Sequence, residues 1–314
     1  MPGAYAHITL VNLAKEPARL ASEQGKPDMP RRARLALGRW FKFCELGAVS
    51  PDYPYLALDS DSRKWADLMH YERTGDMVKA GVNVVRALDG MRQQKALAWL
   101  LGYAAHLITD ATIHPVIELK VGPYAQNQRH HRICEMHQDA YIYQRLNLGE
   151  IGMSEHLDSG ISKCGAADGT LDAAVAQTWR EMLKTCHGSQ FAENPPQIDL
   201  WHQKFKSMVD GIAEEGYQLI PLARHVAVDC GLTYPAAGGI DRPAYIDSLS
   251  TPHGSLPYDQ VFDKALRHVV EGWRLIGTGV YEDDTAYQTA FWDWNLDTGR
   301  SLVTAQSQQY VFWG

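Results

Sequence analysis

The sequence contains few cysteines, and none of them lie close together. The five cysteines are scattered through the 314 residues, and no CxxC motif occurs. A disulfide framework normally shows an even number of cysteines at regular spacings. The sequence therefore indicates reduced thiols, the state that is usual for a cytosolic protein.

Basic residues are fewer than acidic ones, at 30 against 37, and the amino terminus lacks the features of a secretory signal. The net charge is −7 with histidine neutral, whereas a non-specific nucleic-acid binder is usually basic. We therefore expect no stable nucleic-acid partner, although bound metal would make a site locally positive and so allow phosphodiester chemistry. Residues 1–14 have no basic region, and no A-x-A-like cleavage site follows them. A cytoplasmic protein is expected, with export by a non-classical route as the alternative.

The sequence has neither a clear membrane-spanning run nor clear strands. The most apolar long segment, residues 96–117, carries His106, Asp110 and His114 at its centre, which argues against a bilayer span. No repeated alternation of apolar and polar residues is bounded by tight hairpin turns. The hydrophobic content of 45% is nevertheless ample for a sizeable core, so the chain is expected to fold as a globular protein.

The sequence does have a helical period, which predicts an all-α fold. Apolar residues recur at helical spacing in seven segments, which are residues 31–46, 78–88, 93–117, 130–146, 171–186, 201–222 and 258–276. Glycine and proline separate these segments, and residues 188–200 and 231–256 are expected to be long loops. The carboxy-terminal stretch that begins AFWDWNLDTG is aromatic and irregular, and no element is assigned to it.

Three ionisable residues share one face of the most apolar predicted helix. His106, Asp110 and His114 are spaced at i, i+4 and i+8, so they lie one above another along the helix. Burial of such groups without partners is costly, and a metal ion is a suitable partner for two imidazoles and a carboxylate. A hydrogen-bonded polar network in the core is the alternative. His225 and Asp229 have the same spacing without further support, and we interpret that pair as structural.

A second pair of candidate ligands follows on the next predicted helix. His131 and Glu135 are again at i and i+4, and imidazole nitrogen and carboxylate oxygen are both good zinc ligands. His130 points about 100° away from that face of the helix, so it does not share it. A pairing of His130 with Cys134 is the alternative for this helix.

Three further candidates are isolated along the chain. His7 lies near the amino terminus, His70 lies in the segment WADLMHYERTG, and Asp52 lies in the proline-bounded turn GAVSPDYPYL. A lone histidine is more often an ordinary surface or core residue, and turns favour aspartate for conformational reasons. None of the three indicates a site without the others.

Taken in order, these residues resemble the metal-binding pattern of the zinc-dependent phospholipase C family, which shares its helical fold with the S1/P1 nucleases. The resemblance covers roughly residues 1–145 and rests on the order of residue types, the two i,i+4 pairs and the GAxxPD turn. It implies an all-α, multi-helix bundle of the phospholipase C/P1 nuclease type with an irregular carboxy-terminal extension. We accordingly divide the chain into a catalytic core at residues 1–187 and a helical and irregular part at residues 188–314, packed on that core.

The resemblance also implies a cluster of two or three zinc ions. One zinc would be held by His70, His106 and Asp110. Another would be shared by His7 and Asp110, with Asp110 as a bridging ligand. Secreted family members complete that site with an amino-terminal Trp, which this chain lacks, and the amine of Pro2 is the expected substitute once Met1 is removed.

A separate zinc would be held by His114, His131 and Glu135, according to the same resemblance. Asp52 matches the acidic residue that lies beside the nucleophilic water, and it is the expected catalytic residue. Its role would be to orient or deprotonate that water.

The activity implied by the resemblance is zinc-dependent hydrolysis of a phosphodiester. A phospholipid would be cleaved on the glycerol side, during transient contact with a membrane surface, to give diacylglycerol and a phosphorylated head group. The closest alternative is a nuclease, and four tyrosines near the motifs could stack bases or line an apolar groove, which are Tyr53, Tyr55, Tyr71 and Tyr103. A non-catalytic protein with structural zinc is the alternative of another class.

Overall fold

Helices account for nearly all of the regular structure, so the all-α prediction is confirmed. The computed structural model describes residues 3–21, 28–57, 59–148, 164–215, 234–303 and 309–314. The α-helices within these ranges are α1 (Ala4–Ala14), α2 (Pro17–Leu20), α3 (Arg31–Arg39), α4 (Phe41–Gly47), α5 (Ser60–Tyr71), α6 (Thr74–Arg86), α7 (Gly90–Val121), α8 (Tyr124–Tyr143), α9 (Ala173–Cys186), α10 (Gly188–Glu193), α11 (Ile198–Glu215), α12 (Arg242–Tyr245), α13 (Tyr258–Tyr281) and α14 (Ala286–Ala290). Short 3-10 helices lie at Ser50–Ala57, Gln144–Leu146 and Ala237–Gly239. Two antiparallel hairpins pair β1 (Leu249–Thr251) with β2 (Gly254–Leu256) and β3 (Trp294–Asn295) with β4 (Arg300–Ser301).

Helix α7 is the centre of the fold. Its residues 96–117 are buried, and helices α3, α4, α6, α8 and α13 pack around it. Helix α4 approaches so closely that a Cβ on Gly102 would collide with the carbonyl oxygen of Cys44. On another side, the Trp273 indole of α13 donates to the Leu101 carbonyl oxygen at 2.7 Å. By length and composition α7 could cross a membrane, but its apolar window is entirely inside the molecule.

Most of the predicted helices are present, with different ends. The segment 31–46 forms two helices, because the backbone at Trp40 leaves the helical region (φ −118°, ψ 31°) and the Trp40 indole donates to a side chain of α7. The helix predicted at 130–146 begins six residues earlier, at Tyr124, and ends at Tyr143. This helix starts directly after Pro123 and is followed by the 3-10 helix at Gln144–Leu146, and a local apolar period does not report either end.

The sequence prediction misses helices α1 and α5 and is wrong about two loops. Helix α1 is buried on nearly every side, so it has no amphipathic period. Helix α5 begins at a cap, in which the Asp59 carboxylate accepts the Ser62 N–H at 2.7 Å. Residues 188–200 contain α10 and the start of α11, and residues 231–256 contain α12 and the β1–β2 hairpin. Such short elements depend on caps and tight turns rather than on a long apolar period.

The carboxy-terminal stretch is irregular, as expected, but it contributes a buried hairpin. Trp294, Leu296 and Trp313 are buried. The Thr74 hydroxyl at the start of α6 donates to the Trp294 carbonyl oxygen at 2.9 Å and accepts the Trp294 N–H at 2.7 Å. The β3–β4 hairpin is thereby held against the junction of α5 and α6. The division of the chain at residue 187 stays a prediction.

Candidate metal centre

Five elements bring the eight predicted site residues into one buried region. Helix α7 contributes three, α8 contributes two, and α1, the 3-10 helix at Ser50–Ala57 and α5 contribute one each. The residues are His7, Asp52, His70, His106, Asp110, His114, His131 and Glu135, and all of them are buried. Residues that are far apart in sequence therefore meet where the helices cross α7.

Asp110 lies at the centre of the first group. Its Oδ1 is 3.1 Å from His7 Nε2, and its Oδ2 is 3.3 Å from His106 Nε2 and 4.0 Å from His70 Nε2. The His7 and His106 rings are stacked, with their centroids 4.2 Å apart. The ligand atoms of His7, His106 and Asp110 all lie within 4.8 Å of one another, so these residues could hold one metal ion.

Asp52 forms a second triad with His70 and His106. Its Oδ1 is 3.3 Å from His70 Nε2 and 3.9 Å from His106 Nε2, and the two Nε2 atoms are 3.4 Å apart. The turn that carries Asp52 is a short 3-10 helix, and the Trp99 indole of α7 fixes it by donating to the Ser50 hydroxyl at 2.9 Å. Asp52 is thus close enough to be a metal ligand itself.

Three of the histidines have a ring orientation that the backbone determines. In each of them the Nδ1 faces a carbonyl oxygen, and the pairs are His70 with Ala66 (2.7 Å), His106 with Ala48 (2.9 Å) and His114 with Leu296 (2.5 Å). Because a carbonyl oxygen only accepts, each Nδ1 carries the hydrogen, and each Nε2 keeps a lone pair in the neutral ring. Histidines that bind metals are usually oriented in this way.

In the neutral rings, the Nε2 atoms of His70 and His106 carry lone pairs, and they face carboxylate oxygens that also can only accept hydrogen bonds. Within the described part of the chain, no hydrogen bond of acceptable geometry reaches several buried ligand atoms, which are His7 Nε2, Asp52 Oδ1, both carboxylate oxygens of Asp110, His114 Nε2 and His131 Nε2. Leaving such atoms without partners is costly, and a cation among them would satisfy them. Imidazole nitrogen and carboxylate oxygen are ligands that zinc accepts, so the residues present fit a zinc centre.

The pKa values of the residues in the centre also favour a bound cation. Burial lowers the pKa of His106, but the carboxylates of Asp110 and Asp52 outweigh burial and raise that pKa to about 9. Burial raises the pKa of Asp110, but His106 and His114 hold it well below its usual value. Burial lowers the pKa of His114 to about 4, and burial with the nearby charge of His106 lowers the pKa of His7. Without metal at neutral pH, a proton on His106 therefore balances the carboxylates, and a bound metal ion would displace it.

His114, His131 and Glu135 form a wider second group. The rings of His114 and His131 meet edge to face, with their centroids 5.8 Å apart. His131 Nδ1 is 3.1 Å from Glu135 Oε1, and Arg132 donates to Glu135 Oε2 at 3.0 Å. Burial raises the pKa of Glu135, but the hydrogen bond from His131 and the positive charge of Arg132 help to hold it below its usual value. Glu135 thus has a cationic side chain as a partner in the protein itself.

A buried polar network behind the second group is absent from the sequence prediction. Arg132 also donates to the Tyr234 hydroxyl at 3.3 Å, and that hydroxyl donates to Asp139 Oδ2 at 3.0 Å. Asp139 Oδ1 accepts the Ala6 N–H at 3.0 Å, at the start of α1. The spacing of Arg132, Glu135 and Asp139 at i, i+3 and i+7 places them on one face of α8, and this spacing was the available signal. The network connects the start of α1, which carries His7, to α8.

Three further interpretations of the sequence have different outcomes. The pairing of His130 with Cys134 does not form, because His130 is exposed whereas Cys134 is buried. The amine of Pro2 and the pair His225 and Asp229 lie outside the described residues. The role of the Pro2 amine as a zinc ligand and the structural role of the pair His225 and Asp229 both stay predictions.

Comparison with known proteins identifies a family. The family model described as zinc dependent phospholipase C matches residues 6–189, which is more than half of the chain. The matched span contains all eight site residues and ends before the β3–β4 hairpin. No curated protein and no solved structure matches the chain.

Proposed function

The chain belongs to the zinc-dependent phospholipase C family, and on that premise we propose that it hydrolyses a phosphodiester bond with zinc bound around Asp110. The observation that carries the proposal is the convergence of unpartnered ligand atoms on this carboxylate. His70, His106 and Asp110 are the proposed ligands of one zinc. Asp110 and His7 are the proposed ligands of another, for which Asp110 acts as a bridge.

The second group supplies the remaining zinc ligands in this proposal. His114 and His131 offer Nε2 atoms that have no other partner in the described part of the chain. Glu135 lies beside them and is the proposed carboxylate ligand. The whole centre would hold two or three zinc ions.

Asp52 is the proposed base. Zinc, when bound, supplies positive charge that neutralises the phosphate oxygens and lowers the pKa of water to about 7. Burial raises the pKa of Asp52, but His106 and His70 outweigh burial and lower it, so the carboxylate is ionised at neutral pH. It can therefore accept the proton of the attacking water at Oδ1. Because Asp52 lies beside two proposed ligands, it could also bind metal. Replacing Asp52 should leave the zinc content unchanged if it is the base and lower it if it is a ligand.

A phospholipid is the proposed substrate. Cleavage on the glycerol side would release diacylglycerol and a phosphorylated head group, and the support for this regiochemistry is the family. Access to a lipid requires transient contact with a membrane surface, and the cytoplasm is the proposed location.

A second candidate is a nuclease, because two tyrosines border the cluster without being fully buried. The rings of Tyr55 and Tyr71 lie 5.7 Å and 6.1 Å from the His70 ring, and either could stack on a base. Tyr53 and Tyr103 are fully buried in the core, so they are not available for stacking. A purely structural zinc centre is the third candidate.

Zinc analysis followed by two substrates separates these candidates. We expect two or three zinc ions per chain by mass spectrometry, and release of diacylglycerol from phosphatidylcholine vesicles. Cleavage of single-stranded RNA without cleavage of the vesicles would identify a nuclease. Zinc without turnover of either substrate would support a structural role, and less than one zinc per chain would overturn the metal centre.

A further inference from the structure

The turn of the β3–β4 hairpin contacts two of the proposed zinc ligands through its backbone. The Leu296 carbonyl oxygen accepts from His114 Nδ1 at 2.5 Å, and the Leu296 N–H donates to the His70 carbonyl oxygen at 3.0 Å. Both contacts are made by main-chain atoms. They therefore depend on where the hairpin lies rather than on the chemistry of the Leu296 side chain.

Polar side chains fix the hairpin to the junction of α5 and α6. Asp293 Oδ1 accepts the N–H groups of Gly75 and Asp76 at 3.1 Å and 3.2 Å, at the start of α6. At the end of α5, the Tyr71 hydroxyl donates to Asp297 Oδ2 at 2.8 Å. The position of the turn is thus determined on both sides of Leu296.

The hairpin also fits into an irregularity of α7. Pro115 lies inside the helix and has no N–H to offer to the Ala111 carbonyl oxygen. Gly299, at φ +62°, packs at this point, where a Cβ would collide with the Ala111 oxygen and the Pro115 ring. The Trp313 indole donates to the adjacent Thr112 carbonyl oxygen at 2.8 Å. The carboxy-terminal strands therefore pack closely against α7 beside His114.

We propose that the hairpin, residues 294–301, is a positioning element of the metal centre. The Leu296 carbonyl sets the His114 ring so that Nε2 remains available to metal, and the Leu296 N–H fixes the end of α5 that carries His70. The inference rests on the proposed function and goes beyond it, because the hairpin lies wholly outside the family match at residues 6–189. A partner that orients a ligating histidine typically changes metal affinity 10–100-fold, about the effect expected here.

Gly299→Ala tests the proposal, with Gly90→Ala as the matched control. Both glycines have left-handed backbone, at φ +62° and φ +52°, but a Cβ at Gly90 meets nothing within 4 Å. The two variants therefore share the backbone strain, and only Gly299→Ala displaces the hairpin from α7. The measurements are zinc content, zinc affinity and the shift in melting temperature when zinc is added to metal-free protein.

Gly299→Ala is expected to bind zinc about 10–100-fold more weakly at one site and to show a smaller zinc-induced shift. Gly90→Ala should lower the melting temperature equally with and without zinc. If Gly299→Ala keeps the parent's zinc affinity and its zinc-induced shift in melting temperature, the hairpin does not position the ligands and the proposal is overturned. A parent protein that binds no zinc would instead overturn the metal centre itself.

Tyr71→Phe provides a second variant should Gly299→Ala not fold. It removes the hydroxyl that anchors Asp297 and leaves the ring and the backbone unchanged. We expect this variant to bind zinc more weakly than the parent, but with a smaller loss of affinity than Gly299→Ala. Zinc affinity and zinc-induced shift equal to those of the parent would overturn the proposal.

Discussion

The two groups of the centre have similar side chains but differ in what balances the charge of their carboxylate. Within the described residues, Asp110 has only histidines as ionic partners, and one of them must hold a proton to balance it. Glu135 instead has Arg132, a permanent cation, at 3.0 Å. The Asp110 group is therefore incomplete without a metal ion or a proton, whereas the protein itself compensates the Glu135 carboxylate.

This difference indicates that removing metal affects the two groups unequally. If the Asp110 group binds an ion as proposed, its removal would leave acceptor atoms facing one another, so the group would have to rearrange or take up a proton. The Glu135 group keeps its hydrogen bonds to His131 and Arg132. We expect the Asp110 group to control metal content and the Glu135 group to contribute more to the stability of the metal-free fold.

Asp110→Asn should have the largest effect. The amide keeps the size of the side chain but removes the charge with which Asp110 would bridge two cations. The variant should lose zinc together with phosphodiester turnover, by more than the ~10²–10⁴-fold that a general base contributes. Zinc content and turnover are measured on one preparation. Full zinc content in this variant would show that Asp110 is not a bridging ligand.

Asp52→Asn should lower turnover by about 10²–10⁴-fold while zinc content stays nearly full. The amide oxygen still accepts a hydrogen bond, but the group is a poor base. The melting temperature should remain near that of the parent. Loss of zinc comparable to that of Asp110→Asn would make Asp52 a ligand, and normal turnover would exclude it as the base.

Arg132→Met tests the second group through stability. Removing one partner of a buried ion pair typically costs about 3–5 kcal/mol in the free energy of unfolding, because Glu135 would be left without its cation. Arg145→Met is the control, since its more accessible pairs with Asp259 and Asp263 should contribute about 1 kcal/mol or less. Denaturant unfolding of both metal-free variants gives the comparison. Equal losses would mean that Glu135 has no special dependence on Arg132.

The stability of the metal-free protein should depend on pH through the Asp110 group, because His106 lies in it. The pKa of His106 is about 9 in the folded chain, above the unfolded value of about 6.5. The stability that its proton contributes is therefore fully present below pH ~6.5 and is lost as pH rises through about 9. With zinc bound, the proton is displaced and this loss should disappear. Thermal unfolding with and without chelator checks the prediction, and identical profiles would contradict it.

His225→Ala should have the smallest effect. The spacing of His225 and Asp229 copies that of His106 and Asp110, but no further candidate ligand supports the pair in the sequence. We expect unchanged zinc content and turnover, and at most a change in stability. A loss of zinc equal to that of His106→Ala would mean that the ligands are wrongly assigned.

Local spacing predicted the helical class and the pairs of candidate ligands on α7 and α8, whereas the resemblance to the phospholipase C family implied that His7, Asp52 and His70 join them. His106, Asp110 and His114 share one face of α7 for the reason that their i, i+4, i+8 spacing predicts. The sequence did not predict the contact of Leu296 with His114 or the role of Arg132. A backbone carbonyl carries no residue-type signal, and the only signal for Arg132 was its spacing with Glu135 and Asp139 on one face of α8. The individual zinc ligands and the role of Asp52 stay predictions.

The bond between His114 and Leu296 also has a consequence for folding, because it joins residues 182 positions apart in the chain. Contacts of such high sequence separation close large loops and form slowly. During synthesis, the helices that carry the other candidate ligands can pair before residue 296 has left the ribosome, but the orientation of His114 cannot be completed. The nascent chain is therefore expected to pass through a compact, partly assembled state whose affinity for zinc is below that of the finished protein. Metal loading would then follow the synthesis of residue 296 rather than accompany that of the first helices.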